Sequence, residues 1–65
     1  MTLIVNGQKR DCESRTLAAL LTELRYGDAI VATAVNGDFV AADARAKTPV
    51  STGDRIEILA PMKGG

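Results

Sequence analysis

At 65 residues, with eight basic and eight acidic side chains, the chain is one small domain of zero net charge, which excludes a second domain and a general basic field for DNA or RNA phosphates. It is 46% hydrophobic and 25% charged, a globular rather than disordered composition, and too small to enclose a deep active site of its own. Two aromatics (Tyr26 and Phe39), a single Cys12 and no His exclude a base-stacking platform, an intramolecular disulfide and a Cys-based metal site.

The chain opens on Thr2-Leu3-Ile4-Val5, a run of strand formers. Asn6-Gly7 follows, and this pair best tolerates the two positive φ angles of a type I′ turn. Gln8 to Cys12 then returns as a polar, half-exposed strand, completing a hairpin. A helix is expected next, over about 17–26. Thr16 is its N-cap, and Leu17, Leu20, Leu21 and Leu24 form one apolar stripe on the helical period. Gly27 is expected to supply the left-handed residue that ends it. A third strand is predicted from Ile30 to Val35. A second Asn36-Gly37 turn leads into a return strand at Phe39-Val40.

Residues 41–46 have helix propensity but no apolar face, which predicts a single helical turn. Ser51-Thr52-Gly53-Asp54 reads as a turn. Arg55 to Ala60 alternates apolar and charged residues, the pattern of a half-buried strand. Pro61 ends it, since proline cannot donate to the ladder. Residues 61–65 have nothing to pack against and are expected to form a mobile tail after a domain over 1–60.

A helix stripe of four leucines needs one sheet face to cover. The elements therefore predict an α+β fold, a mixed four- to five-stranded sheet packed on one helix. The first and last strands lie parallel at its centre. This is the β-grasp, or ubiquitin-like, roll. In the last strand Ile56 and Ile58 share one face, and Arg55, Glu57 and Leu59 share the other. If the isoleucines face the helix together with Leu3 and Val5, Ile4 and Leu59 are left outside. Ala32 and Ala34 then extend them into a flat apolar patch, a candidate partner surface.

Other polar residues read as structural. Asp28, Asp43 and Asp54 lack metal-ligand spacing and serve turns and caps, as do Asn6 and Asn36. Cys12 reads as a small strand residue rather than a sulfur acceptor, although Lys9 and Arg10 lie nearby. The longest stretch without strongly polar residues, Ala29 to Val35, is far too short to span a bilayer. No charged segment followed by an apolar run opens the chain, so the expected location is the cytoplasm, and the expected free state is a monomer.

Four features in order give the whole chain a resemblance to the thiamine-biosynthesis sulfur carrier family. They are Val5-Asn6-Gly7; Thr16-Leu17 with Leu20-Leu21; Val35-Asn36-Gly37 before Phe39-Val40; and Gly53-Asp54-Arg55-Ile56-Glu57-Ile58 leading to Ala60-Pro61-Met62-Lys63-Gly64-Gly65. One departure is 41–46, which has no aromatic where relatives often carry Pro-Arg and a Trp. The resemblance implies a protein cosubstrate rather than an enzyme, with no cofactor of its own. A ubiquitin-activating-like adenylating enzyme would use ATP and magnesium to activate the Gly65 carboxylate. Sulfur from a cysteine-desulfurase-type donor would convert it to a thiocarboxylate, which thiazole synthase would consume. Pro61, Met62, Lys63, Gly64 and Gly65 would be the segment entering the partner's active site. Glycine has no Cβ and fits a narrow channel. Two alternatives stay open: a sister carrier of the molybdopterin synthase type, and a TGS-like β-grasp module that binds a ligand or RNA.

Overall fold

Five strands, one α-helix and one 3-10 segment make up the computed structural model, which describes residues 1–27 and 29–60. Strand β1 (Thr2–Val5) pairs antiparallel with β2 (Gln8–Asp11). The turn between them has φ of 50° at Asn6 and 82° at Gly7, the type I′ geometry that lets a two-residue loop match strand twist. The second hairpin repeats it: β3 (Ala32–Val35) returns as β4 (Asp38–Val40), with φ of 51° at Asn36 and 88° at Gly37.

Helix α1 spans Leu17–Glu23. The Ala19 amide donates to the Thr16 hydroxyl at 3.2 Å, so Thr16 caps the helix as expected. The end differs from expectation: the helix stops at Glu23, and the left-handed residue that closes it is Arg25, with φ of 69°. The Tyr26 amide reaches the Leu21 carbonyl (2.9 Å) and the Arg25 amide reaches that of Thr22 (3.0 Å). These are the two bonds of a Schellman cap, and Gly27, also at positive φ, lies beyond it. Closing the helix there places Tyr26 against the core. A left-handed conformation costs an L-residue about 1–2 kcal/mol, partly offset because glycine loses more freedom on folding. Arg25→Gly is therefore expected to stabilise the protein by up to about 1 kcal/mol. A urea midpoint at or below that of the wild type would show that the cap carries no such strain.

After β4 the chain makes six residues of 3-10 helix, Ala42–Lys47, longer than the single turn expected. Thr16 then bridges Pro49, flanked by bonds from the Leu17 amide to the Thr48 carbonyl and from the Val50 amide to the Arg15 carbonyl. The start of the helix is thereby pinned to the segment entering the last strand, β5 (Arg55–Leu59). The Ser51–Asp54 turn forms as expected, and the Asp54 carboxylate accepts the Ser51 amide at 2.8 Å.

The sheet order is β2-β1-β5-β3-β4. Strand β5 sits at its centre, parallel to β1 and antiparallel to β3, which is the mixed β-grasp sheet predicted. Leu3, Val5, Ile56 and Ile58 point from one sheet face to Leu17, Leu20 and Leu21 of the helix. Leu24, the fourth member of the stripe, is half-buried because the helix has ended by then. Strand β3 begins at Ala32, not Ile30. Its ladder partner β5 ends at Leu59, opposite Ala32, and Ile30 is 82% exposed.

Cys12 is buried in the core beside Met1, with which it exchanges backbone bonds. Burial, and then the Glu23 carboxylate, push its thiol pKa up. The nucleophilic thiolate is therefore disfavoured, in keeping with a structural reading rather than that of a sulfur acceptor, although Cys12 lies one residue past the end of β2 and in the core rather than in the strand expected. Glu23 itself is exposed, and its carboxylate accepts the Ser14 hydroxyl and the amides of Glu13 and Ser14. Those bonds hold its pKa below the ordinary carboxylate range and tie the helix end to the loop that enters the helix.

Candidate functional site

Asp28 and the expected reactive segment, Pro61, Met62, Lys63, Gly64 and Gly65, lie outside the described residues. The structure shows where that segment starts and what surrounds its root. Leu59 is the last residue of the central strand, so the chain reaches Ala60 from the middle of the sheet.

Strand β5 is gripped on both sides by turn asparagines. The Asn6 side chain donates to the Ile58 carbonyl (3.0 Å) and accepts the Ile58 amide (2.8 Å). With the Asn6 backbone amide on Ile56 (2.9 Å), the parallel β1–β5 ladder continues past the end of β1 through a side chain. Across the sheet, Asn36 accepts the Arg55 amide (2.9 Å) and donates to the Asp54 carboxylate (3.0 Å). Both asparagines therefore adopt the turn conformation expected and also fasten the strand that leads to the tail.

The sheet face away from the helix carries the patch candidates, and the register redraws the patch. Ile4 is half-buried and sits between Lys9 and Arg55, not beside Leu59. Leu59 lies four residues further along β5, roughly 13 Å away at about 3.3 Å per residue. The expectation failed because it used the parity of β1 and β5 without their offset. Leu59 instead faces Ala32, and Ala34 faces Phe39 on β4. Leu59 is 69% exposed and Phe39 74%. Ile30, Val31, Ala32, Leu59 and Ala60 together line a shallow depression at the root of the tail.

The apolar part of this face is thus Ile30, Ala32, Ala34, Phe39 and Leu59, interrupted by Glu57 opposite Ala34, and Ile4 sits apart from it between the Lys9 and Arg55 side chains. Phe39 and Ile30 were missed from sequence. The signal for Phe39 was present: a two-residue turn at Asn36-Gly37 places residue 39 opposite Ala34, on the same face. Nothing local marked Ile30. Among the described residues there is no His/Cys/Asp/Glu cluster that could hold a metal and no helix long and apolar enough to cross a membrane.

This arrangement defines a class: a small ubiquitin-like β-grasp domain whose central strand precedes the Gly64-Gly65 pair of the sequence. The ThiS family model matches residues 3–65, and the chain belongs to the ThiS family. A crystal structure of the thiamine biosynthesis protein ThiS from Geobacter metallireducens superimposes with a TM-score of 0.84 at 32% identity, each chain fully covered. An NMR structure of a thiamine biosynthesis protein from the same organism gives 0.81 at 30% identity, covering all of this chain and 88% of that one. The chain is also 38% identical over 66 residues to a thiazole synthase of Paramagnetospirillum magneticum. It spans only 20% of that protein's length.

Proposed function

We propose that Gly65 is the sulfur-bearing residue of this carrier and that the sulfur goes to the thiazole ring of thiamine. The observation that carries the reading is that the family match runs through residue 65. The diglycine therefore falls inside the family pattern.

A carboxylate is a poor electrophile. The Gly65 carboxylate oxygen first attacks the α-phosphorus of ATP on an adenylating partner, and pyrophosphate leaves. A persulfide sulfur, supplied by a cysteine-desulfurase-type donor, then displaces AMP and forms an acyl disulfide. A thiol reductant cleaves its S–S bond, becoming oxidised, and leaves the thiocarboxylate. ATP and magnesium reside on the partner, and this chain binds no cofactor. A thiazole synthase that contains a segment like this one favours thiazole synthase as the consumer over a molybdopterin-type acceptor.

Intact-protein mass spectrometry tests the reading. Incubation with the adenylating enzyme, ATP, magnesium, the sulfur donor and a thiol is expected to add about 16 Da, one oxygen exchanged for sulfur within a covalent-intermediate scheme. No gain with an enzyme active on another carrier would remove the carrier reading.

The exposed apolar part of the sheet face is the docking surface in this proposal, as it includes Leu59 beside Ala60, the last described residue before 61–65. Leu59→Asp is expected to weaken binding to the adenylating enzyme or to thiazole synthase at least about tenfold, since charge in a desolvated contact is costly. The fold should be unchanged, because Leu59 faces solvent. Calorimetry showing full affinity for both partners would take this face out of the account.

A further inference from the structure

The 3-10 segment Ala42–Lys47 places one side chain where it bears on the tail. Arg45 is half-buried and turns inward across the end of the roll. Its Nη2 donates to the Val31 carbonyl at 2.6 Å, and its Nε donates to the Thr33 hydroxyl at 3.1 Å. Thr33 is 2% exposed, and its hydroxyl donates on to the Val40 carbonyl at 2.8 Å. One guanidinium thus holds the residue before β3, the inner face of β3 and, through Thr33, the end of β4. The fixed fork of arginine suits two such acceptors, whereas a lysine ammonium is a single point donor. Among the described residues Arg45 makes no ion pair; its polar partners are a backbone carbonyl and a hydroxyl.

These bonds fall beside the last rung of the sheet. Ala32, between Val31 and Thr33, is the residue paired with Leu59. Beyond Leu59 the chain has one described residue, Ala60, before the tail. Up to Ile58 the strand is also held from the other side by Asn6. At Leu59 the pairing that remains is with β3, whose first residues Arg45 fixes. The five residues 61–65 span at most about 17 Å, so a small swing at the root moves their far end through a larger arc.

We propose that Arg45 is a positioning residue for the reaction at Gly65: by holding Val31 and Thr33 it fixes the start of β3 against Leu59, and with it the direction in which the tail leaves the domain. This rests on the reading of Gly65 as the residue adenylated. It assigns the 3-10 segment a role exerted through the sheet rather than by touching a partner. Arg45→Met keeps much of the aliphatic stem and removes every donor. Arg45→Lys restores one donor.

The test has two arms on the full chain. In the first, ATP–pyrophosphate exchange by the adenylating enzyme is measured against carrier concentration. Arg45→Met is expected to lower kcat about tenfold to a hundredfold, the scale of a misplacement near 1 Å. KM is expected to change less than kcat because Arg45→Met replaces no side chain of the docking face, and Arg45→Lys should recover part of the loss. In the second arm, amide hydrogen exchange of the isolated protein is expected to quicken at Leu59, opposite Ala32, and stay unchanged at Leu3 and Leu20.

A raised KM with unchanged kcat would overturn the proposal, since Arg45 would then act at the docking face. Uniform loss of protection would overturn it too, leaving Arg45 a general fold staple. If the wild type itself supports no exchange, the carrier reading fails and takes the catalytic proposal with it. The hydrogen-exchange arm would still report whether Arg45 holds the strand end.

Discussion

Leu20→Ala is expected to destabilise the protein by about 2–5 kcal/mol, a large share of the total for a small domain. Leu20 is fully buried at the centre of the apolar stripe, between Leu17 and Leu21 and against Leu3, Val5, Ile56 and Ile58. The removed atoms leave a void that a short helix cannot close by shifting. Its N-terminus is pinned through Leu17 to Thr48 and its C-terminus is locked by the Arg25 cap. A loss under about 1 kcal/mol in urea unfolding would mean that the helix re-seats on the sheet, in which case the two pins are weaker than their geometry implies. The substitution leaves residues 59–65 unchanged in sequence, so at temperatures where the variant remains folded its sulfur-accepting activity should be retained.

The leucine stripe and the two Asn-Gly pairs were legible because their information is local. Helical spacing sets the buried side, and a type I′ turn sets the register of its own hairpin. The parity of β5 was equally clear, and Ile56 and Ile58 are buried as expected. What escaped the sequence was non-local or strained. The offset between β1 and β5 joins strands about fifty residues apart, and it separates Ile4 from Leu59. The side-chain bonds of Asn6 to Ile58 depend on that same offset. Arg25 occupies a conformation that composition assigns to glycine, so Gly27 drew the expectation two residues too late.

These non-local features converge on one strand. Asn6 holds Ile58, Asn36 holds Arg55, and Arg45 steadies the β3 end against Leu59. A carrier must present a pliable terminus from a root of fixed direction, because an extended segment delivers its end accurately only if its origin does not wander. Concentrating side-chain bonds on β5 supplies that fixed origin.

Removal of Gly65 is expected to abolish sulfur loading while leaving the domain's stability unchanged within about 0.5 kcal/mol, the range of surface changes away from packing features. Deletion shortens the reach by roughly 3.5 Å. The new terminal carboxylate then stops short of the α-phosphate, and positioning dominates chemistry of this kind. Gly64→Phe keeps the length but adds a ring that a channel shaped for glycine cannot admit, so loading should again fail. The two variants separate reach from width. If the mass gain of about 16 Da persists after Gly65 is deleted, the sulfur is on another residue, and the scheme of a single terminal acyl intermediate is wrong. If deletion abolishes the gain but Gly64→Phe loads normally, the terminus reacts without passing a narrow channel, and the diglycine serves flexibility rather than fit. Loss in both, with urea midpoints matching the wild type, is the result that the described domain and its family pattern lead to.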